Sequence, residues 1–472
     1  MLFNSLSYAI FLPIIFVLYW LIPEKFRWVL LLGASYYFYM SWNPKYVILI
    51  LCTTIVSYIS GLLLEKTSGK IVKNVIVSVA LFLCLGVLFV FKYYNFAIDT
   101  VSLFTGNEPR YLNLLLPVGI SFYTFQTLSY VIDIYRDELP AEHNFGIYAA
   151  FVSFFPQLVA GPIERSRNLL PQIRKEHAFD PVNAYYGVRL IVWGLFKKMV
   201  VADNLAVYAD LVFDNIYSYS GGSIALATFF FTIQIYCDFS GYSDIARGSA
   251  KLFGIELMEN FKSPYFSTSI KDFWSRWHIS LSSWFRDYLY IPMGGNRVSK
   301  LRNCINVLVT FLVSGLWHGA SWHFVIWGGL HGLAQIYENA FGIKKATENN
   351  FFTFIRRIIV FIFVAYAWLF FRANTIHQGF YASVSMLYGL SNPIEYLKTS
   401  FYALGLSKSF IPYLILYLMP LFIFDYVSLK TDVIAWISSK HPILRHILMI
   451  LIILILLFFG YVGQSTFVYF QF

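Results

Sequence analysis

Three histidines lie in the stretch SGLWHGASWHFVIWGGLHG, which is otherwise aromatic and aliphatic and is broken by glycines. The first of them, His318, is flanked by Gly315 and Gly319 in a GxxxG spacing that allows a helix or a ligand to approach the backbone closely. An ionisable side chain in so apolar a segment is costly, so it is a functional hypothesis by default. Imidazole, with an ordinary pKa of about 6.5, takes and returns protons at neutral pH. A neutral histidine that is hydrogen-bonded within a helix bundle explains this segment equally well.

The other two histidines of this stretch, His323 and His331, do not share a helical face closely with His318, because each helical residue turns by about 100°. No HExxH pattern or cluster of carboxylates accompanies them, which disfavours a zinc site. We therefore expect no metal here, and we expect both side chains to have a structural or supporting role.

A second stretch, KDFWSRWHISLSSWFRDYLYIPMGGNR, combines Arg276, His278, Arg286 and Arg297 with three tryptophans. A cationic, tryptophan-rich helix is typical of the membrane interface, so an interfacial helix is expected. The arginines also suit a phosphate-bearing ligand that arrives from the cytoplasm, because guanidinium groups bind phosphates through paired hydrogen bonds. Contact with lipid headgroups explains the arginines and tryptophans equally well, but it explains His278 less well because that residue lies among apolar ones.

A third stretch, QIYCDFSGYSDIARG, places Asp238 and Asp244 at the end of an apolar run. We expect structural ion pairs with Arg247 or with a distant arginine. GYSDI is not a nucleophile elbow, because Ile245 stands where the last glycine is needed. Cys237 has no recognisable activating neighbour.

These residues belong to a chain whose composition demands a membrane. It has 472 residues, of which 58% are hydrophobic and 13% charged, and its mean hydropathy is +0.62. Soluble domains have about 25% charged residues, so we expect the bilayer to surround most of the chain. The formal net charge of +10 sits mostly between apolar runs, which indicates the positive-inside rule rather than binding to nucleic acid.

The apolar runs predict roughly ten to twelve membrane crossings. The clearest runs are Leu6–Ile22, Trp28–Trp42, Tyr46–Leu64, Ile71–Phe91, Ala184–Val201, Ile224–Phe239, Asn303–Leu316, Trp322–Phe341, Ile358–Phe371, Ile411–Ser428 and Ile447–Val462. Two others, Leu112–Tyr135 and Ile147–Ala160, are interrupted by Pro, Gly and polar residues, which favours re-entrant or tilted helices. The first run lacks a basic n-region and a small-residue cleavage site, so an uncleaved span is expected. The four cysteines form no CxxC pair, and disulfides are not expected.

Three clusters of basic residues predict the orientation, since cytoplasmic loops carry an excess of Lys and Arg. The clusters are Arg165, Arg167, Arg174 and Lys175; Arg297, Lys300 and Arg302; and Lys344, Lys345, Arg356 and Arg357. Placing all three in the cytoplasm makes the runs at 303–316 and 322–341 a helical hairpin. Its turn, 317–321, contains His318.

Five stretches, in this order, make the sequence similar to the membrane-bound O-acyltransferase family: LPVGISFYTFQTLSYVIDIYR, FPQLVAGPIERSRNLLPQI, DFSGYSDIARG, DFWSRWHISLSSWFRDYLYIPMGGNR and GLWHGASWHFVIWGGLHG. Each is weak alone, but the ordered set is specific. YIPMGGNR, LWHGASWHFVIWG and the terminal FVYFQF most resemble the alginate O-acetyltransferase (AlgI-like) branch. The resemblance extends over essentially the whole chain and implies one membrane domain, residues 1–472.

The resemblance implies an all-α, polytopic fold with tilted and short helices around a thinned central funnel, in the cytoplasmic membrane. The family's invariant histidine matches His318, and a second histidine of this branch matches His278. The acyl donor of the branch is thought to be cytoplasmic acetyl-CoA. The resemblance further implies an extracytoplasmic partner of the SGNH-esterase type and a polysaccharide acceptor such as alginate, cellulose or peptidoglycan.

The expected chemistry is the transfer of an acetyl group from a thioester to a hydroxyl. His318 would remove the hydroxyl proton, a role that typically contributes about 10²–10⁴-fold. The His278 ring or a backbone N–H near Gly319 would stabilise the carbonyl oxygen, and Arg276, Arg286 and Arg297 would contact the CoA phosphates. A thinned bilayer centre leads us to expect a short His318 hairpin.

Three alternatives stay open from the sequence. The first is D-alanyl transfer from a carrier protein to teichoic acid, as in a related branch. The second is a proton-coupled transporter that uses the buried histidines and Asp238, although the chain lacks the two similar halves that such folds often show. The third is a non-catalytic scaffold for polymer export.

Overall fold

The computed structural model describes residues 1–159, 161–346, 350–406, 410–461, 463 and 467–468. Within these residues the regular secondary structure is helical and contains no β-strand, which confirms the all-α prediction. The last positions of the predicted runs Ile147–Ala160 and Ile447–Val462 lie outside the described residues. So do the last four residues of FVYFQF.

The chain folds into two compact units. Unit 1 comprises residues 1–191 and 242–258, and unit 2 comprises residues 192–241 and 259–472. Two helices, α10 (Pro181–Leu195) and α12 (Gly221–Lys251), contribute residues to both units. The single domain expected over residues 1–472 stays a prediction.

Unit 1 contains nine further helices within its described residues: α1 Leu6–Leu21, α2 Arg27–Met40, α3 Val47–Lys66, α4 Lys70–Leu88, α5 Tyr94–Thr105, α6 Ile120–Tyr135, α7 Phe145–Ser153, α8 Phe155–Leu158 and α9 Ser166–Arg174. A π-helical turn at 89–93 joins α4 to α5, so that 70–105 form one continuous helical segment of 36 residues. A buried hydrogen bond of 2.7 Å between the Tyr8 and Ser249 hydroxyls ties α1 to the C-terminal part of α12.

The remaining helices of the described residues belong to unit 2: α11 Asp203–Phe213, α13 Ile270–Trp274, α14 Ile279–Phe285, α15 Lys300–His318, α16 Trp322–Ala340, α17 Phe351–Arg372, α18 Ile376–Ser385, α19 Pro393–Ala403, α20 Phe410–Ser428, α21 Val433–Ser438 and α22 Pro442–Phe459. Short polar side chains begin several of them, as expected at helix N-termini. The Ser299 hydroxyl accepts from the Arg302 N–H at α15. The Asn350 side chain accepts from the Thr353 N–H at α17.

Each of the eleven clearest apolar runs overlaps a helix, but helix length and hydropathy alone support fewer crossings than predicted. Six helical segments of the described residues are long and apolar enough to cross a membrane: 44–66, 70–105, 221–251, 351–372, 410–428 and 442–459. Helices α1 and α2 have only 16 and 14 residues. The chain is therefore a multi-pass membrane protein with at least these six candidate spans.

The six segments differ in how far protein encloses them. The apolar window of α12 is 83% buried, whereas that of α22 is not buried at all. A helix that is apolar all round must be covered by protein or by lipid. α12 therefore lies in the protein interior, and the exposed faces of α22 suit contact with lipid.

Candidate active site

The His318 segment is a hairpin of two regular helices. α15 ends at His318, residues 319–321 form the connection, and α16 begins at Trp322. The predicted helix pair is thus confirmed, whereas its orientation in the membrane stays a prediction. Each helix has 19 residues, a length of about 28 Å that matches the hydrocarbon core. The expectation of a short hairpin was wrong.

Glycines bring the two helices together rather than shortening them. A Cβ atom on Gly315 would lie 2.2 Å from the Phe324 carbonyl oxygen, and one on Gly328 would lie 2.2 Å from the Phe311 carbonyl oxygen. The helices therefore pack backbone against backbone at these two residues, as the glycine spacing allows. Gly319 lies outside the helix in an extended conformation and faces the Phe324 ring.

His318 is enclosed by aromatic rings. Its side chain is 2% exposed. Its ring centroid lies 5.0 Å from that of Trp327, 5.1 Å from that of Trp317 and 5.4 Å from that of Phe371. Apolar walls strengthen electrostatic interactions with a reacting group, so this cage suits proton transfer.

His278 lies beside His318, but it belongs to a different segment of the chain. It is fully buried between α13 and α14 and has left-handed backbone angles, φ 43° and ψ 54°. Its ring is 4.6 Å from Phe239, edge to face, and 6.4 Å from the ring of His318. Burial lowers the pKa of His278 to about 3, so its imidazole is neutral at neutral pH. The structure thus brings together the two histidines that the sequence analysis selected.

The stretch 271–297 is not the single interfacial helix that we expected. It consists of α13, a break at 275–278, α14, and a π-helical turn at 286–290. Trp277 is fully buried, and Trp274 and Trp284 are each 8% exposed. The left-handed backbone of His278 cannot be part of an α-helix, so α14 begins only after it.

The other two histidines of the hairpin have the supporting hydrogen bonds that we predicted. The Nδ1 atom of His331 accepts from Trp274 Nε1 at 3.2 Å. The Nδ1 atom of His323 lies 3.1 Å from the Phe370 carbonyl oxygen. His331 therefore connects α16 to α13, next to the segment that carries His278.

A buried carboxylate makes a second connection between the hairpin and that segment. Glu338 of α16 is 7% exposed, and its two oxygens accept from the backbone N–H groups of Ile270 and Lys271 at 2.6 and 3.0 Å. These groups open α13, where a negative charge is stabilised by the free N–H groups.

The three arginines proposed for CoA phosphates have different surroundings. Arg276 Nε lies 2.9 Å from Asp272 Oδ1. Burial alone would raise the pKa of Asp272, but Arg276 and other donors outweigh it and hold that pKa below its usual range. Arg286 is exposed and lies 2.8 Å from Asp287. Arg297 is exposed at the start of the basic segment that leads into α15.

The acidic residues of α12 correct one expectation and confirm another. Asp244 pairs with Arg247 at 3.6 Å, as predicted. Asp238 pairs with a lysine rather than an arginine: Lys198 Nζ lies 2.7 Å from Asp238 and 2.7 Å from Asp203, and all three side chains are at most 3% exposed. A sequence signal for this partner was present: Lys197 and Lys198 lie inside the predicted span Ala184–Val201. Lysines within a span imply buried acidic partners.

Three further observations complete the site. The described residues contain no group of three or more His, Cys, Asp or Glu side chains that could hold a metal ion. The four cysteines are free. A surface groove of about 620 Å³ contains none of the predicted site residues; it is lined by Asn215, Ser218, Tyr219, Ser220, Thr399 and Ala403.

The described residues thus form a helical membrane protein in which two buried histidine rings lie 6.4 Å apart, both next to Trp317. The sequence model of the membrane-bound O-acyltransferase family (MBOAT) matches residues 136–383. The chain belongs to this family and is an acyltransferase.

Several relatives place it near one branch of the family. The probable alginate O-acetylase AlgI of Pseudomonas syringae pv. tomato is 42% identical over 378 residues, which cover 78% of this chain and 71% of that protein. The peptidoglycan O-acetyltransferase of Helicobacter pylori is 36% identical over 416 residues, 80% of this chain and 78% of that protein. The teichoic acid D-alanyltransferase of Streptococcus thermophilus is 30% identical over 254 residues, 50% of this chain and 60% of that protein.

Proposed function

We propose that this chain is an O-acetyltransferase of the cytoplasmic membrane that moves an acetyl group from cytoplasmic acetyl-CoA to an extracytoplasmic polysaccharide. The observation that carries the proposal is the pair of buried histidine rings 6.4 Å apart at the end of the α15–α16 hairpin. The similarity to an alginate O-acetylase and to a peptidoglycan O-acetyltransferase supports the acetyl group and a glycan acceptor.

In the proposed reaction His318 takes the proton of an acceptor hydroxyl while the hydroxyl oxygen attacks the thioester carbonyl. The new C–O bond forms, the C–S bond breaks, and the proton passes from His318 to the departing CoA thiolate. His278, neutral and next to His318, donates a hydrogen bond to the carbonyl oxygen as it gains negative charge. No redox cofactor or metal is needed for this sequence of steps.

The proposed topology has the three basic clusters in the cytoplasm and roughly ten to twelve crossings around a central funnel. Both ends of the α15–α16 hairpin then lie at the cytoplasmic face, next to the second and third basic clusters. The turn with His318 lies at the opposite end, toward the acceptor. An extracytoplasmic protein of the SGNH type would receive the acetyl group and pass it to the polysaccharide.

The main experiment replaces His318 by Ala and measures acetyl ester on the exported polymer and acetyl-CoA turnover in proteoliposomes. We expect a loss of about 10²–10⁴-fold. The matched control is His323→Ala, which changes a buried histidine five residues away on the same hairpin. Undiminished ester formation by His318→Ala, at normal protein level, would contradict the proposal.

The donor is tested with labelled acetyl-CoA and, separately, with a D-alanyl carrier protein. We expect turnover with acetyl-CoA and none with the carrier protein. Substitution of Arg297 by Ala should raise the KM for acetyl-CoA more than Arg276→Ala or Arg286→Ala does, because Arg276 pairs with Asp272 and Arg286 pairs with Asp287. Turnover with the carrier protein only would replace acetyl by D-alanyl transfer, and proton-driven uptake without acetyl-CoA consumption would indicate a transporter.

A further inference from the structure

The backbone of His278 has an uncommon conformation. Its φ of 43° and ψ of 54° lie in the left-handed region, which residues other than glycine seldom occupy. Such a conformation persists only where surrounding contacts enforce it. The segment that supplies those contacts is 260–262.

Asn260 binds the first turn of α14 with two oxygen atoms. Its backbone carbonyl accepts from the Ile279 N–H at 3.0 Å, and its Oδ1 accepts from the Ser280 N–H at 3.1 Å. The first N–H groups of a helix have no partner within the helix, so these two bonds satisfy donors that would otherwise be buried and unpaired. Asn260, His278 and Ser280 are all fully buried.

The same segment also binds the chain before His278. The Lys262 N–H donates to the Arg276 carbonyl at 3.0 Å, and Arg276 Nη1 donates to the Lys262 carbonyl at 3.1 Å. Residues 260–262 therefore hold the backbone on both sides of His278. A change in its φ would break bonds at one side or the other.

Aromatic packing fixes the direction of the ring. The Phe261 ring lies 5.0 Å from Trp277 and 5.0 Å from Phe239, and Phe239 in turn contacts the His278 ring edge to face. The hydrogen bonds fix the backbone of His278, and Phe239 contacts its ring. Together they keep the imidazole beside His318.

We propose that Asn260 is the positioning residue of the active site: its side-chain oxygen keeps His278 in the left-handed conformation that aims the imidazole at the reaction centre next to His318. This inference rests on the proposed function, in which His278 stabilises the carbonyl oxygen. Without the Oδ1 contact, the Ser280 N–H loses this acceptor, and only the bonds at Ile279 and Arg276 hold the backbone, so the His278 ring is less firmly fixed beside Phe239.

The test compares Asn260→Ala with Asn260→Asp. Asp keeps the oxygen that accepts from Ser280, and it gives up no observed hydrogen bond, because Asn260 Nδ2 has no partner among the described residues. We expect the kcat of acetyl transfer to fall roughly tenfold in the Ala variant, with little change in the KM for acetyl-CoA, and to recover largely in the Asp variant. The control is Asn204→Ala, which removes an amide that bonds the carbonyls of Met199, Val200 and Phe459.

A double-mutant cycle with His278→Ala separates positioning from general stability. If Asn260 acts through His278, Asn260→Ala costs no further activity in the His278→Ala background. Equal loss in both backgrounds, or an Asp variant as poor as the Ala variant, would overturn the inference.

Ring NMR of ¹³C-labelled histidine gives a readout that needs no turnover. The signal that disappears in His278→Ala should shift in Asn260→Ala and stay in place in Asn260→Asp and Asn204→Ala. An unmoved signal in Asn260→Ala would also overturn the inference. If the unmodified protein does not turn over acetyl-CoA, that result contradicts the proposed function instead. The NMR result would still decide the role of Asn260.

Discussion

The two histidines of the site are held by unlike parts of the same unit. His318 ends a regular 19-residue helix whose position depends on close backbone contact at Gly315 and Gly328. His278 sits at a break between two short helices and depends on hydrogen bonds from a neighbouring segment. We therefore expect the hairpin to be sensitive to side-chain size and the His278 segment to be sensitive to lost hydrogen-bond acceptors.

The difference has a general physical basis. A helix satisfies its own backbone groups, so within a membrane protein only its separation from other helices remains to be set, and small residues set it. An irregular segment cannot satisfy its backbone groups alone, so buried side chains must do so. Glu338 and His331 join the two regions, since both lie on α16 and bond to residues of α13.

The largest effect should come from Gly328→Ala. Its new methyl group would meet the Phe311 carbonyl 2.2 Å away, so α15 and α16 must separate. We expect a destabilisation of about 1–3 kcal/mol and a loss of acyl transfer, because His318 moves with α15. The measurements are thermal unfolding in detergent and acetyl-CoA turnover.

The neighbouring Gly329→Ala is the matched control, because its methyl group meets only an ordinary contact with Leu312 at 3.5 Å. Alanine is the better helix former by about 1 kcal/mol, so this variant should be neutral or slightly stabilised. Equal behaviour of the two variants would contradict the role that we give to backbone contact in the hairpin.

The second prediction concerns the connection between the two regions. Glu338→Gln replaces one of two accepting oxygens by an amide NH₂, which then faces a backbone N–H of α13. We expect a loss of about 1–3 kcal/mol in stability and a severalfold loss of activity. Glu395→Gln, which changes an exposed glutamate of α19, is the control. Unchanged activity at reduced stability would show that α13 does not position His278.

The sequence predicts the hairpin better than it predicts the His278 segment. The hairpin and the position of His318 at its turn were predictable, because apolar runs, glycines and basic flanks are local signals. The break at His278 and the role of Asn260 were not, since the left-handed conformation depends on contacts between residues about 20 positions apart. The lysine partner of Asp238 was missed for a related reason: Lys198 lies in the π-helical segment 196–202, 40 residues away, and spacing along the chain does not reveal such a pair.

A third prediction tests the backbone of His278 without reference to its ring chemistry. Asn tolerates the left-handed region, whereas a β-branched residue is strongly disfavoured there. His278→Asn should therefore be more stable than His278→Val by about 1 kcal/mol, measured by thermal unfolding at one pH where no histidine titrates. An equal or reversed order would mean that the variant segment abandons the left-handed conformation.

The smallest effect should be a change in how the stability of the protein depends on pH. Burial lowers the pKa of His278 to about 3, well below the ordinary value of about 6.5. Between about pH 3 and pH 6.5 the ring is therefore neutral in the folded state and protonated in the unfolded chain. This contribution to stability is complete above pH 6.5 and is lost as the pH falls toward 3. His278→Asn should lose less stability than the unmodified protein between pH 6.5 and 5.

The same shift predicts how His278 contributes to the pH dependence of catalysis. A ring that is neutral from pH 5 to 8 contributes no titration to kcat in that range, so an acidic limb there must come from a group other than His278. We expect the residual activity of His278→Asn to keep this limb at the same pH. If the limb disappears with His278, then His278 is the titrating base and His318 has the supporting role, which reverses the assignment while keeping the site.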